Sequence, residues 1–268
     1  MGRSNGWDVA RQIANVAGAV FQVGATAALG ASIQSQVDRD SPLIEPSPYA
    51  FSIWAVIFSL SLAYAVYAAL PRNRENDSLR RVGWLTTAAF FCTGLWSFFV
   101  PAGRTLFALA VLFVALVCLV EAYLRLARSW REQASRGAAW LVAPTLGIFA
   151  GWLTAANVVS LDSEAVRFGF VSGGGTGEAV LGSALLVLGS LVAACVILAG
   201  RNGPSMGYLA YGLTVLWALT AVVVGQYDVS LLTASAAVVA AALVIVALLG
   251  TRRRSRERKG DRVLPRVL

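Results

Sequence analysis

The chain has 268 residues, of which 57% are hydrophobic and only 13% are charged, and its formal net charge is +8. A soluble domain carries roughly a quarter charged residues, so too little polar surface remains to cover a water-facing globule. The cations lie in short loops and in a tail, which is typical of membrane topology signals rather than of a nucleic-acid-binding surface. Composition therefore excludes a soluble domain and predicts an all-α, polytopic membrane helix bundle without a nucleic-acid partner.

Hydropathy divides the chain into about eight apolar spans. Each span has about twenty residues, the length that a helix needs to cross the hydrocarbon core. In chain order the predicted spans are Val9 to Ile33, Tyr49 to Leu70, Val82 to Val100, Thr105 to Leu124, Ala138 to Leu161, Ala179 to Gly200, Met206 to Gly225, and Val229 to Gly250.

Nearly all of the cations lie in the segments on one side of these spans. Of the 22 Lys and Arg residues, 19 fall on the side of the two termini, and only Arg39, Arg104 and Arg167 fall on the other. Cytoplasmic loops carry the excess of cations, so we expect both termini on the cytoplasmic side of the membrane. The basic tail after Gly250 suits an anchor that contacts anionic lipid. A cleaved signal peptide is the rival interpretation of span one, but its apolar stretch is longer than a signal core.

Two external segments interrupt the pattern. The segment from Gln34 to Pro48 is long for a connection in a compact bundle. The segment from Asp162 to Gly177 contains Gly173, Gly174 and Gly175 and is typical of a flexible linker. We therefore divide the chain into a five-helix core (1–162), a linker (163–177), a three-helix extension (178–250) and a tail (251–268).

Few residues offer catalytic chemistry. The chain has no histidine, which disfavours a metalloenzyme or a histidine-ligated haem protein. Its three cysteines, Cys92, Cys118 and Cys195, lie in apolar spans and are interpreted as small buried hydrophobic residues. We assign no catalytic residue, no metal ligand and no required cofactor. Glu121 is interpreted as a partner of Arg125, one helical turn away, rather than as a proton relay, and we identify no intramembrane coupling-ion site.

Aromatic and polar side chains gather near the external ends of spans two, three and five. Phe51, Trp54 and Phe58 are spaced by three and four and share one helical face, which is either packing or the wall of an aromatic pocket. Tyr49 also suits an interfacial belt. In span five, Thr154 and Asn157 share a face and need polar partners, either on a neighbouring helix or on a ligand.

These pieces together resemble the TspO/MBR family, the tryptophan-rich sensory or translocator proteins, and most closely a longer bacterial branch with extra C-terminal helices. In that family a Pro-Pro-x-Trp-x-Phe stretch opens the second helix, and Pro46-Ser47-Pro48-Tyr49-Ala50-Phe51 followed by Trp54 is similar. An Asn-x-x-Trp-Ser element closes the third helix, and Thr93-Gly94-Leu95-Trp96-Ser97 is similar. Pro144, Trp152 and Asn157 are similar to the pattern of the fifth helix, with a shorter gap between Trp152 and Asn157 than the family has. The chain departs from the family where Tyr49 replaces a tryptophan and Thr93 replaces an asparagine.

The resemblance implies a five-helix bundle with a cavity under the segment from Gln34 to Pro48. It implies a flat apolar ligand of the porphyrin, haem, sterol or carotenoid class, and family members are often homodimers. A sensory or regulatory role is favoured, with transport of small amphipathic molecules and light-dependent porphyrin degradation as alternatives. The expected ligand-binding residues are Tyr49, Phe51, Trp54, Phe58, Thr93, Trp96, Trp152 and Asn157.

Overall fold

A computed structural model describes residues 6–37, 42–133 and 135–260. Within these residues, eight helices are long and apolar enough to cross a membrane, which confirms the all-α prediction and its span count. They are α1 (Gly6–Val37), α2 (Ile53–Ala69), α3 (Asp77–Phe99), α4 (Thr105–Gln133), α5 (Ala143–Arg167), α6 (Thr176–Gly200), α7 (Ser205–Gln226) and α8 (Leu231–Gly260). Asp38, Arg39 and Asp40 of the first external segment, and the side chains of the tail from Arg252, lie outside the described residues.

Helix α5 ends six residues later than the hydropathy pattern predicts. The polar residues from Asp162 onward do not end it, and the helix instead stops at a glycine cap. Gly169 has a φ of +73°, which a glycine adopts without steric cost. Its N–H donates to the carbonyl of Val166, and the N–H of Phe170 donates to the carbonyl of Ala165, which is the Schellman motif. Asp162 and Glu164 therefore belong to the helix and not to a flexible linker.

Helix α5 is the central helix of the bundle. Buried residues make up 72% of its most apolar stretch, against 28% in each of α1, α2 and α4. The outer helices turn large apolar side chains such as Phe107, Leu188 and Val246 outward, where lipid is their natural solvent. We call the side where α1 begins and α8 ends the termini face, and the opposite side, which carries residues 42–48, the loop face.

Helices α5 and α7 cross at small residues. Gly147 and Gly151 lie four apart on α5, the spacing that lets two membrane helices approach closely. A Cβ atom on Gly151 would lie 2.6 Å from the carbonyl oxygen of Tyr211 on α7. The division into a five-helix core and a three-helix extension stays a prediction, but α7 packs directly against the central helix.

A buried polar network joins α1 to α2 and α3. The Asn15 Nδ2 donates to the carbonyl of Gly83 at 3.0 Å, and the Thr86 hydroxyl donates to the Asn15 Oδ1 at 2.7 Å. The Tyr64 hydroxyl lies 2.9 Å from the Thr86 hydroxyl. Since buried polar groups need partners, this network fixes how the three helices are rotated about their axes.

Arg11 is not the solvated topology signal that the charge count implied. Its side chain is buried, its Nη2 donates to the backbone carbonyl of Arg74 at 2.8 Å, and it lies 3.5 Å from Asp8. Asp8 also accepts two hydrogen bonds from Arg80, at 2.9 and 2.6 Å. A cation near a helix end is drawn inward when an acidic residue lies one turn away to compensate its charge.

Two smaller predictions differ in outcome. The Arg125 Nε donates to the Glu121 Oε1 at 2.8 Å, which confirms the predicted pair. The three cysteines carry free thiols, but Cys195 is exposed on the surface of α6, so its predicted burial is wrong. Hydropathy does not distinguish a side chain that faces lipid from one that faces protein.

Candidate ligand-binding cavity

A cavity of about 170 Å³ lies beside α5, in the half of the bundle nearer the loop face. Helices α3 to α7 and residues 42–51 all contribute to its walls. Small side chains leave the space, and they are Ala108, Ala155, Ala156, Gly189 and Ala218. Toward the termini face the gap closes, because Gly200 of α6 packs on Tyr123 of α4.

Aromatic rings form one wall of the cavity. Phe51 and Trp152 line it and meet edge to face, with ring centroids 5.8 Å apart. Trp96 lines it as well, and behind it Trp54 stacks on the Trp96 ring at 5.8 Å and on Phe58 at 5.3 Å. Such a wall suits a flat apolar molecule, because aromatic rings prefer stacked and edge-to-face contacts.

The indole of Trp152 is the most informative polar group in this wall. Trp152 is 3% exposed, and its Nε1–H has no hydrogen-bond partner among the described residues. Buried donors are almost always paired, so this N–H is available to an acceptor in the cavity. Nearby, Thr154 also lines the cavity, but its hydroxyl lies 2.9 Å from the Tyr211 hydroxyl of α7 and is satisfied by protein.

The mouth of the cavity is charged. Glu164 and Arg167 line it on α5, with the Arg167 Nε 3.8 Å from the Glu164 Oε1. Glu45 lines it from the segment before α2, together with Pro42 and Pro46. The cavity is therefore amphipathic, with an apolar interior and a polar rim at the loop face.

Residues 42–48 cover this mouth and are held there by α6 and α7. The Leu43 N–H donates to the Glu178 Oε1 at 2.6 Å, and the Ser47 N–H donates to the carbonyl of Ala221 at 2.9 Å. The Gln226 Nε2 donates to the carbonyl of Glu45 at 3.1 Å. The C-terminal helices thus position the segment that sequence analysis assigned to the cover of a five-helix core.

Of the eight predicted ligand-binding residues, three line the cavity. These are Phe51, Trp96 and Trp152. Trp54 and Phe58 form a second layer behind Trp96, and Tyr49 is 42% exposed with its ring 5.2 Å from that of Trp217.

The two predicted polar residues lie behind the wall. Thr93 is fully buried and its hydroxyl donates to the carbonyl of Ala89, one turn back on its own helix. The Asn157 Nδ2 donates to the carbonyl of Leu153 at 2.8 Å and, more weakly, to Leu112 of α4 at 3.4 Å. The Thr93 hydroxyl and the Asn157 amide N–H are thus engaged by backbone carbonyls, whereas the buried Asn157 Oδ1 has no hydrogen-bond partner among the described residues.

Sequence reasoning missed the contributions of α6 and α7 to the cavity. Leu186 and Ser190 of α6 and Val215 and Leu219 of α7 line it. Nothing in these spans marks them as ligand-contacting, because Leu, Val and Ser at helical spacing occur equally in plain packing. Glu164 and Arg167 were missed because they were placed in the linker.

The charged residues offer no evident metal centre. Among the residues that the structure describes, no three His, Cys, Asp or Glu side chains group as a metal ion requires. The mainly apolar lining with a few polar groups suits binding of an organic molecule by shape and by a few hydrogen bonds.

A family model described as TSPO-like protein matches residues 9–250, which include all eight spans. The chain belongs to the TSPO-like protein family. This membership confirms the resemblance inferred from the aromatic motifs, and with the eight apolar helices it makes the chain a multi-pass membrane protein. No curated protein and no solved structure matches the chain. The match runs through α6, α7 and α8 of this TSPO-like protein as well as through the first five helices.

Proposed function

We propose that this TSPO-like protein binds a flat, mainly apolar molecule that carries a hydrogen-bond acceptor, in a sensory or regulatory role. The candidates are porphyrins, haem, sterols and oxygenated carotenoids. The observation that carries the proposal is the buried Trp152 Nε1–H, which has no partner in the described part of the chain and belongs to a cavity wall. A propionate or hydroxyl of such a ligand supplies the missing acceptor, while its flat body packs against Phe51 and Trp96.

The volume of the cavity sets a condition on binding. At about 170 Å³ it is smaller than the pockets of roughly 300–1,000 Å³ that take drug-sized ligands. A porphyrin or sterol therefore requires residues 42–48 to lift, or α4 and α6 to separate. Because hydrogen bonds to the Glu178 and Gln226 side chains and to the carbonyl of Ala221 hold those residues to α6 and α7, ligand entry is coupled to the C-terminal helices.

The test is a titration of the purified protein with protoporphyrin IX in the dark, followed by tryptophan quenching and pigment absorbance. Trp152→Phe keeps an aromatic ring but removes the donor, and the loss of one hydrogen bond weakens binding by about two- to tenfold. The matched control is Trp84→Phe, since Trp84 is 45% exposed near the termini face and contacts Trp7 rather than the cavity. Unchanged affinity in Trp152→Phe, or no saturable binding to the wild-type protein, contradicts the proposal.

The same samples address the enzymatic alternative. Illumination of the bound pigment bleaches it if the protein degrades porphyrin with light, and the bleaching then depends on the tryptophans of the cavity wall. Stable pigment under illumination leaves binding as the whole activity.

Transport of a small amphipathic molecule is the second candidate function. Sequence analysis argued against it because no intramembrane residue offered a coupling site. The position of Asp162, fully buried in α5 with neither carboxylate oxygen hydrogen-bonded to a described residue, now favours it. Accumulation of the ligand in sealed vesicles, set against binding to protein in detergent, separates the two functions.

We further propose that the protein lies in a bacterial cytoplasmic membrane with both termini in the cytoplasm and its basic tail on anionic lipid. The one-sided distribution of 19 of 22 cations supports this orientation. Labelling of single cysteines placed in the tail and in residues 42–48 with a membrane-impermeant maleimide tests it. Labelling of the tail from outside intact cells contradicts it.

A further inference from the structure

Two buried carboxyl groups lie between α5 and α6 beneath residues 42–48. Glu178 is 2% exposed and Asp162 is fully buried. Both Asp162 oxygens lie about 3.5 Å from the position of a Cβ on Gly182, one helical turn after Glu178. Because residues four apart share one face of a helix, Glu178 and the Asp162 carboxyl lie along the same face of α6.

Both oxygens of the Glu178 carboxyl accept hydrogen bonds from backbone N–H groups. Its Oε1 accepts from the Leu43 N–H at 2.6 Å, and its Oε2 accepts from the Gly174 N–H at 2.5 Å. It lies in the first turn of α6, where the helix dipole favours an anion. The Glu178 carboxyl is therefore the latch that fixes Leu43, and with it the cover of the cavity, to α6.

Asp162 has the opposite environment. Neither of its oxygens has a hydrogen-bond partner among the described residues, and Gly182 and Ile44 pack at the same point. The nearby elements carry these described charged groups: Glu178 on α6, Glu45 in the cover, and Glu164 and Arg167 on α5, where Arg167 pairs with Glu164 at 3.8 Å. A buried carboxyl without a partner, beside a second anion, binds a proton rather than ionise.

We propose that Asp162 is a proton-binding site and that its proton keeps the Glu178–Leu43 latch closed over the mouth of the cavity. Release of the proton to solvent water leaves a second carboxylate beside Glu178. The repulsion is relieved when the Glu178 side chain turns away from Asp162, so that it accepts the Leu43 N–H less well. The cover then loosens as the pH rises, and access to the cavity becomes dependent on protons whatever ligand it takes.

Infrared difference spectra between samples at low and high pH test the site directly, without a ligand. At neutral pH the wild-type protein shows the C=O stretch of a protonated carboxyl group, and Asp162→Asn loses that band. The control is Asp228→Asn, because Asp228 is an exposed carboxylate at the loop face and its removal leaves the band unchanged. In a third variant, Glu178→Gln removes the repelling charge, so the band persists only to a lower pH than in the wild type.

Hydrogen–deuterium exchange tests the consequence for the cover. The exchange rate of the backbone amides of residues 42–48 is divided by the rate of the unfolded chain at the same pH, which gives their protection. In the wild-type protein this protection falls as the pH rises. In Asp162→Asn it does not change with pH. Absence of the band at neutral pH, its survival in Asp162→Asn, or the same pH dependence in both proteins overturns the proposal. If Asp162→Asn does not fold, the shift of the band in Glu178→Gln decides, and an unshifted band overturns the proposal.

Discussion

Replacing Gly151 by alanine tests whether the central helix and α7 form one packed unit. The substitution adds one methyl group to α5, at a point where the carbonyl oxygen of Tyr211 lies 2.6 Å from the position of its Cβ and the Thr214 side chain lies 3.0 Å away. Ordinary contacts of a methyl group begin at about 3.4 Å, so a backbone atom of α7 has to move. Overpacking of this kind costs about 1–3 kcal/mol.

A matched control isolates that cost. Alanine is favoured over glycine in a helix by about 1 kcal/mol, and this gain applies to any helical glycine. Gly24 of α1 is exposed, and a Cβ there meets nothing within 4 Å. Gly24→Ala therefore reports the intrinsic gain alone. The stability difference between the two variants is the overpacking cost of about 1–3 kcal/mol.

The assay is unfolding of the purified protein with sodium dodecyl sulfate, followed by near-ultraviolet circular dichroism, which reports tertiary packing. A thermal midpoint measured in mild detergent gives a second readout, with about 2–4 °C of shift for each kcal/mol in a chain of this size. Equal stability of Gly151→Ala and Gly24→Ala would show that α5 and α7 are not in close contact. It would also allow the first five helices to fold as a separate unit.

Three further substitutions probe the polar contacts. Tyr211→Phe removes the hydroxyl from Thr154 and lowers the free energy of unfolding by about 0.6 kcal/mol, an effect absent in a Thr154→Val background because the bond is already lost. Asn15→Leu breaks the bond to Gly83 and leaves buried groups unpaired, which costs about 1–3 kcal/mol in the same unfolding assay. Glu121→Gln breaks an exposed ion pair and changes stability by no more than about 0.5 kcal/mol. Asn15→Leu as mild as Glu121→Gln would refute the importance of the α1–α3 network.

The C-terminal helices have a clear structural role. They supply one side of the cavity, pack on the central helix at Gly147 and Gly151, and bind residues 42–48 through Glu178 and Gln226. A chain that ends before α6 leaves the glycine face of α5 without its partner and the cover of the cavity without its latch. We expect such a truncated chain to fail to bind ligand even where its first five helices insert.

The sequence by itself determined the number of spans, their order and the family. The even number of spans also places both termini on the same side of the membrane. Hydropathy is a local property, and twenty apolar residues form a membrane helix whatever surrounds them. The grouping of Phe51, Trp96 and Trp152 near the ends of their spans could also be recognised from the sequence. The position of an aromatic residue along a span does not depend on how the helices cross.

Only the tertiary structure decided which side chains meet. Trp54 and Trp152 have similar sequence contexts, yet Trp152 lines the cavity and Trp54 supports it from behind, because the rotation of each helix is set by contacts with distant residues. Asp162 opened the segment that the sequence pattern suggested was a flexible linker, and it is buried because α5 continues to Arg167 and α6 packs against its last turns through Gly182. The roles of Glu178 and Gln226 follow from contacts that span more than a hundred residues, which no local pattern records.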